Sequence, residues 1–231
     1  MARHIGIVAC SAEGAALCYR TIALEAQSRM GEHNHPKMTM NSIPMAEHLF
    51  FIGGNDWAGV SDLLLDSARR VKAAGADFAI CPDNTCHQAF PFLLPRSPLP
   101  WLSIAEVVAA RAEKSRLRRL AILGTRSLME SNVYPGALAA RGIGFEIPEA
   151  TDRAKIDRII FQELVNAIFA EPSRLYFNEV MDELKAKGCD GAVLGCTEIP
   201  LIVRPGDAPL PTLDSTRLLA RAAIAHALSE N

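Results

Sequence analysis

Three stretches of the sequence deliver polar or reactive side chains at the end of a short apolar run, where a helix is expected to begin. The first is Ala79-Ile80-Cys81-Pro82-Asp83-Asn84-Thr85-Cys86-His87. The amides of a helix start, together with the Asn84 and Thr85 side chains, can hold a carboxylate. The second is Ala192-Val193-Leu194-Gly195-Cys196-Thr197-Glu198-Ile199-Pro200. A thiol at a helix N-terminus has its thiolate favoured by the helix dipole, which makes Cys196 a candidate reactive group. The third is Leu123-Gly124-Thr125-Arg126-Ser127, which offers two hydroxyls at a strand end. Each stretch also reads as plain structure. Asp, Asn, Thr and Ser are the residues that helix caps prefer, and cysteines are commonly buried. The likeness between the corners at Asp83 and Cys196 tilts the reading towards chemistry. A fourth corner, Cys10-Ser11-Ala12-Glu13-Gly14, adds Ser11 but lacks the GxGxxG spacing, so it implies no dinucleotide.

The elements that position these corners alternate along the chain. Apolar runs predict strands over residues 5–10, 38–43, 78–81, 120–124, 144–147, 191–195 and 210–213. Helical periodicity and stop signals predict helices over 13–28, 57–74, 84–92, 104–114, 127–140, 152–170, 173–187 and 214–227. In the second of these helices Val60, Leu64, Ala68 and Val71 share one face. Strands alternating with crossover helices imply an α/β fold with mainly parallel sheets covered on both faces. In such folds ligands bind at the carboxyl ends of strands, where the three corners fall. The prolines between Pro95 and Pro100 mark the best seam between two domains, and no short tandem repeat is present.

Composition excludes several partners. The 231 residues are 49% hydrophobic and 22% charged, ordinary for a globular chain, with a net charge of −2. That charge gives no footprint for nucleic acid or an anionic membrane. No apolar run approaches the roughly 18 residues that a membrane span needs, and the N-terminus lacks a signal-peptide pattern. A cytoplasmic location is the expectation. Six cysteines without a CxxC pair fit thiols in a reducing compartment better than disulfides. The close histidine pair, His33 and His35, has no neighbouring cysteine, so no metal site is expected.

At motif level the chain resembles the aspartate/glutamate racemase superfamily. Gly195-Cys196-Thr197-Glu198 is similar to the second catalytic motif of that family. Asp83-Asn84-Thr85 is similar to the first, which usually reads Cys-Asn-Thr. Ile5-Gly6-Ile7, His35-Pro36-Lys37, Gly124-Thr125 and Leu213-Asp214-Ser215-Thr216 match in the same order, so the resemblance spans nearly the whole length.

The resemblance implies two similar α/β domains with the active site in the cleft between them. It puts 1–100 with 210–231 in one domain and 101–209 in the other. It implies a cofactor-independent amino-acid racemase or epimerase. Two acid/base groups flank the substrate, one taking the Cα proton and the other returning a proton on the opposite face. Cys196 matches the second group, and Asp83 stands where the first cysteine is usual. Ser11, Asn84, Thr85, Thr125, Ser127, Thr197 and Glu198 would bind substrate. Cys81 and Cys86 flank Asp83 without occupying the motif position. Some aspartate-acting relatives carry a lysine late in the helix matching residues 163–169, where this chain offers Asn166. The implied partner is a small amino acid or dicarboxylate, and a homo-oligomer is compatible with this reading. Two alternatives remain: a same-fold lyase or isomerase acting on a small dicarboxylate, and a catalytically silent small-molecule binding protein.

Overall fold

The computed structural model describes residues 2–204 and 206–229. Eight strands are present among them: β1 (Ile5–Ala9), β2 (Met38–Ser42), β3 (Phe78–Ile80), β4 (Trp101–Leu102), β5 (Arg119–Leu123), β6 (Gly144–Glu146), β7 (Gly191–Leu194) and β8 (Thr212–Asp214). They form two four-stranded sheets, ordered β2-β1-β3-β4 and β6-β5-β7-β8. Every neighbouring pair is parallel. The central strands are buried almost throughout, as continuous apolar runs in a parallel sheet must be.

The two sheets share one strand order. In each, the first strand is flanked by the second on one side and by the third on the other. Successive crossovers therefore leave in opposite directions. A crevice opens at the carboxyl ends between β1 and β3, and again between β5 and β7. These are the places to which the three sequence corners belong.

The chain divides into two compact units, Met1–Ile104 with Thr216–Asn231, and Ala105–Ser215. The seams expected from sequence lay at 100/101 and 209/210. Two short strands move them. Parallel pairing of Ala79 with Trp101 and Ile80 with Leu102 keeps β4 in the first sheet. Pairing of Ala192, Val193 and Leu194 with Thr212, Leu213 and Asp214 holds β8 in the second. Met1, Pro205, Glu230 and Asn231 lie outside the described residues.

Each unit has its own core. The first gathers Val8, Val60, Leu64, Leu65, Ala79 and Leu93. Most come from β1, β3 and the helix Trp57–Ala73, which is capped by Asp56 accepting from the Gly59 N–H at 2.9 Å. The second gathers Leu123, Ile156, Ile160, Phe177, Met181 and Leu194. Each such aliphatic or aromatic side chain contributes about 1.5–3 kcal/mol by leaving water.

Several elements differ from the sequence reading. A helix at Met45–Gly53 and the strand β4 were not expected, and the helix expected to begin at Cys196 is only the short Ile199–Ile202. The helix expected over 127–140 is two, Arg126–Met129 and Val133–Ala139. Ser131 breaks it: its hydroxyl donates to the Leu128 carbonyl and accepts from the Val133 N–H. The helix expected to reach residue 170 stops at Gln162, and a 3₁₀ turn follows at Leu164–Asn166. Among the described residues no helix is long and apolar enough to cross a membrane.

Candidate active site

In the unit built on β1 and β3, the site begins where β1 ends at Ala9. Cys10 and Ser11 follow, and the Ser11 hydroxyl accepts from the Gly14 N–H at 3.3 Å, capping the helix Ala12–Glu25. From the neighbouring β3 end come Cys81, Asp83, Asn84, Thr85 and Cys86. One Asp83 carboxylate oxygen accepts from the Cys86 N–H at 2.9 Å, so Asp83 caps the 3₁₀ turn Thr85–Ala89. Asn84 and Thr85 are buried at the start of that turn, and Asp83 is half-buried.

The thiols of Cys10 and Cys86 are hydrogen-bonded to each other, and Cys86 is also bonded to Cys81. The bond from Cys86 draws the Cys10 thiol down. Burial and the Asp83 carboxylate outweigh it and push Cys10 up to about 11. Cys86 is held well above its ordinary range by its bonds to Cys10 and Cys81 and by burial. Both are therefore thiols at neutral pH.

Two buried histidines border this corner and differ completely. His87 is fully engaged. Its Nδ1 meets the Asp83 carbonyl at 2.8 Å, its Nε2 accepts from the Ile104 N–H at 3.1 Å, and its ring stacks on Phe90. Burial pushes it down to about 4, so it is a neutral strut that ties the Asp83 turn to the chain after β4. His48, from the helix Met45–Gly53, has no hydrogen-bond partner on either ring nitrogen among the described residues. Burial lowers its pKa, with Asp83 and Glu47 opposing.

In the unit built on β5 and β7, the corner is equally tight. The Gly195 N–H donates to the Leu123 carbonyl at 2.6 Å. A Cβ placed on Gly195 would lie 2.8 Å from that carbonyl oxygen, and one on Gly124 would lie 3.0 Å from the Gly195 oxygen. Glycine at both positions thus lets the two strand ends meet. Gly195→Ala is expected to destabilise the protein by about 1–3 kcal/mol, because backbone rather than a flexible side chain must yield. Denaturant titration checks this, and an unchanged midpoint would show that the corner can open.

Beyond Gly195, three buried side chains meet. The Cys196 thiol donates to Glu198 Oε2 at 3.0 Å, and the Thr197 hydroxyl donates to the same oxygen at 2.8 Å. The other carboxylate oxygen, Oε1, is buried with no hydrogen-bond partner among the described residues. Thr125 accepts from the Leu128 N–H at 3.1 Å and caps Arg126–Met129, with Ser127 half-buried one residue into that turn. Ser215 donates to the Leu194 carbonyl at 2.8 Å, and the buried Tyr134 is hydrogen-bonded to Ser215. Neither Tyr134 nor His48 was singled out from sequence. Asn166 donates to the carbonyls of Phe161 and Gln162 at 3.2 and 3.3 Å, closing a helix end on the exposed surface.

The sequence-derived residues thus fall into two groups. Ser11, Asp83, Asn84 and Thr85 gather at the β1/β3 crevice. Thr125, Ser127, Cys196, Thr197 and Glu198 gather at the β5/β7 crevice.

Comparison with known proteins agrees with this fold. The sequence model of the Asp/Glu/Hydantoin racemase family matches residues 5–223. A Yersinia pestis protein, provisionally assigned as an Asp/Glu racemase, has a crystal structure 32% identical to this chain. Its TM-score is 0.88, covering 98% of this chain and 100% of that one. An aspartate racemase homologue from Pyrococcus horikoshii OT3 is 25% identical, with a TM-score of 0.83 and coverage of 98% and 100%. A broad specificity amino-acid racemase from Bacillus subtilis is 22% identical over 169 residues, which is 70% of this chain and 69% of that protein.

Proposed function

The chain belongs to the Asp/Glu/Hydantoin racemase family, and on that premise we propose that it is an amino-acid racemase or epimerase that moves the Cα proton with two of its own side chains. The observation that carries the proposal is the Cys196 thiol. It stands at the carboxyl end of β7, at the crevice of the second sheet, held by a buried carboxylate. Cys196 serves as one acid/base group and Asp83 as the other, on opposite faces of the substrate. A carboxyl can take the second role because it holds or releases a single proton, as a thiol does.

Substrate binding follows from the same two crevices. Asn84, Thr85 and the amides of the 3₁₀ turn suit the α-carboxylate, and Thr125, Ser127 and Thr197 supply further hydroxyl donors. The unpartnered Glu198 Oε1 suits the α-ammonium, since a buried carboxylate oxygen gains most from a charged donor. This favours amino acids over simple dicarboxylates. Proton transfer between side chains and Cα calls for no further cofactor. A cytoplasmic setting belongs to the same proposal, because it keeps the six free cysteines reduced.

The test is incubation of the purified protein with single L-amino acids, beginning with aspartate and glutamate, in deuterated water. Loss of the α-proton signal, with the D-enantiomer appearing on chiral chromatography, is the expected result. No exchange with any L- or D-amino acid would overturn the proposal.

A second reading has one observation in its favour. Asp83 already caps the turn through Cys86, which leaves Cys196 as the sole thiol at the motif positions. One-sided chemistry, a lyase or isomerase acting on a small dicarboxylate with Cys196 as proton donor, would suit that arrangement. Turnover of a dicarboxylate without exchange of any amino acid selects it.

A further inference from the structure

We propose that Cys10, His48 and Cys86 form a binding site for a thiophilic divalent cation of the zinc class. The ligating atoms of these three residues all lie within 4.8 Å of one another, and all three side chains are buried. The site is contained in the first compact unit, beside the Asp83 turn, and the argument for it does not rest on the racemase reading.

The argument begins with the helix that supplies the histidine. Met45–Gly53 buries one side chain, and that side chain is His48, only 1% exposed. The helix also carries Leu49, Phe50, Phe51 and Ile52, yet Phe50 is 76% exposed. Met45, Phe51 and Ile52 are partly buried against the first core, and the deepest side chain of the helix is the imidazole, which meets two cysteines there.

An imidazole buried without partners is costly, because its ring nitrogens leave water and gain nothing in return. His87, bonded to the same Asp83 turn, shows the ordinary solution, with both nitrogens engaged. His48 has neither. A neutral imidazole nitrogen is a common zinc ligand, and cysteine sulfur is the other. Binding would displace the thiol protons of Cys10 and Cys86 and satisfy the histidine in one step. Zinc–sulfur and zinc–nitrogen bonds of about 2.3 and 2.0–2.1 Å need the ligand atoms to close by about 1 Å from the observed limit. Two sulfurs and one nitrogen favour a borderline-soft ion over magnesium or calcium, which take oxygen. Cys81, hydrogen-bonded to Cys86, stands next to the triad.

No sequence motif pointed to this site. The histidines that attract attention there, His33 and His35, are exposed in the loop before β2. His48 lies in a helix that the sequence reading left out.

The experiment is a titration of the reduced, chelator-stripped, full-length protein with cobalt(II), which reports thiolate ligation by an intense near-ultraviolet band. One equivalent is expected to saturate the band, and zinc(II) is expected to displace cobalt and raise the melting temperature. His48→Gln, on a largely exposed helix and therefore expected to fold, should weaken cobalt binding at least tenfold, as should Cys86→Ala. Cys189→Ala, which removes a buried thiol of the other unit, should leave the titration unchanged. The proposal is overturned by absence of the band in the wild-type protein. It is equally overturned by a band that survives His48→Gln unaltered, or by one lost in Cys189→Ala. No readout depends on turnover, so failure of the racemase proposal would not touch this one.

Discussion

Replacing Cys196 by alanine is expected to lower turnover by about 10²–10⁴-fold, the usual worth of a positioned acid/base group, while the protein stays folded. The stability loss should be small. Removing one sulfur from a buried position costs about 1 kcal/mol or slightly more, which shifts the melting temperature of a chain this long by roughly 2–4 °C. Glu198 is not stranded by the change, because Thr197 continues to donate to Oε2. Cys196→Ser separates two roles of the thiol. A serine hydroxyl can still donate to Glu198, but it is a far weaker acid and its alkoxide is out of reach at neutral pH. If the serine variant falls as far as the alanine variant, Cys196 moves a proton; if it retains most of the turnover, the residue only positions Glu198. Near-wild-type rates in both variants would remove the central claim. Solvent-deuterium exchange followed by proton NMR, with thermal melts on the same samples, reads all three outcomes.

The second large effect is expected at Asp83. The side chain demonstrably caps the turn, with one oxygen accepting from the Cys86 N–H. A carboxyl has two oxygens, however, and an N–H can be accepted in either protonation state. Capping and proton transfer are therefore compatible in one residue. Asp83→Asn keeps the cap, since asparagine and aspartate cap about equally well, and it abolishes the titrating proton. The expected result is a folded protein with an unchanged melting temperature that exchanges the α-proton of one enantiomer and not the other. Asp83→Ala should lose about 1 kcal/mol with the cap as well. Asp83→Cys should restore a pair of thiols and raise racemisation in both directions. Unaltered exchange of both enantiomers in Asp83→Asn would leave the residue as a cap alone and turn attention to Cys81 or Cys86.

The layout of the fold was legible because parallel strands are short apolar runs bounded by small or polar residues. Ile5–Ala9, Phe78–Ile80 and Gly191–Leu194 stand out in the sequence for that reason. Their carboxyl ends carried the candidate side chains, so Ser11, Asp83, Thr125 and Cys196 could be placed at strand ends in advance. Elements that take their place from tertiary contact were not legible. Two residues, Trp101–Leu102, cannot show a period, and only pairing with β3 makes them a strand. The helix Met45–Gly53 hides behind the four adjacent apolar residues 49–52, which show no clean helical period, although Pro44 before it and Gly53-Gly54 at its end were usable boundary signals. Missing that helix hid His48. The hydrogen bond from Cys196 to Glu198 was hidden for another reason. Residues two apart point to different sides of a helix, so the helix start expected at Cys196 gave no hint of the contact, which exists because the chain turns between Gly195 and Ile199.

The way the chain is divided also orders its assembly during synthesis. Ala105–Ser215 is one continuous segment with its own sheet and core, so it can close as soon as it has left the ribosome. The other unit is discontinuous and has to wait. Its first 104 residues emerge early, but the helix that completes it, ending at Leu228, follows the whole of the other unit. Until then Phe78 lacks the edge-on ring of His226, and Glu25 lacks the Arg221 guanidinium that grips both its oxygens at 2.6 and 2.8 Å. The unit that carries Asp83 is thus held open until that helix has been made, and a nascent chain arrested before residue 216 would display one finished unit and one unfinished one.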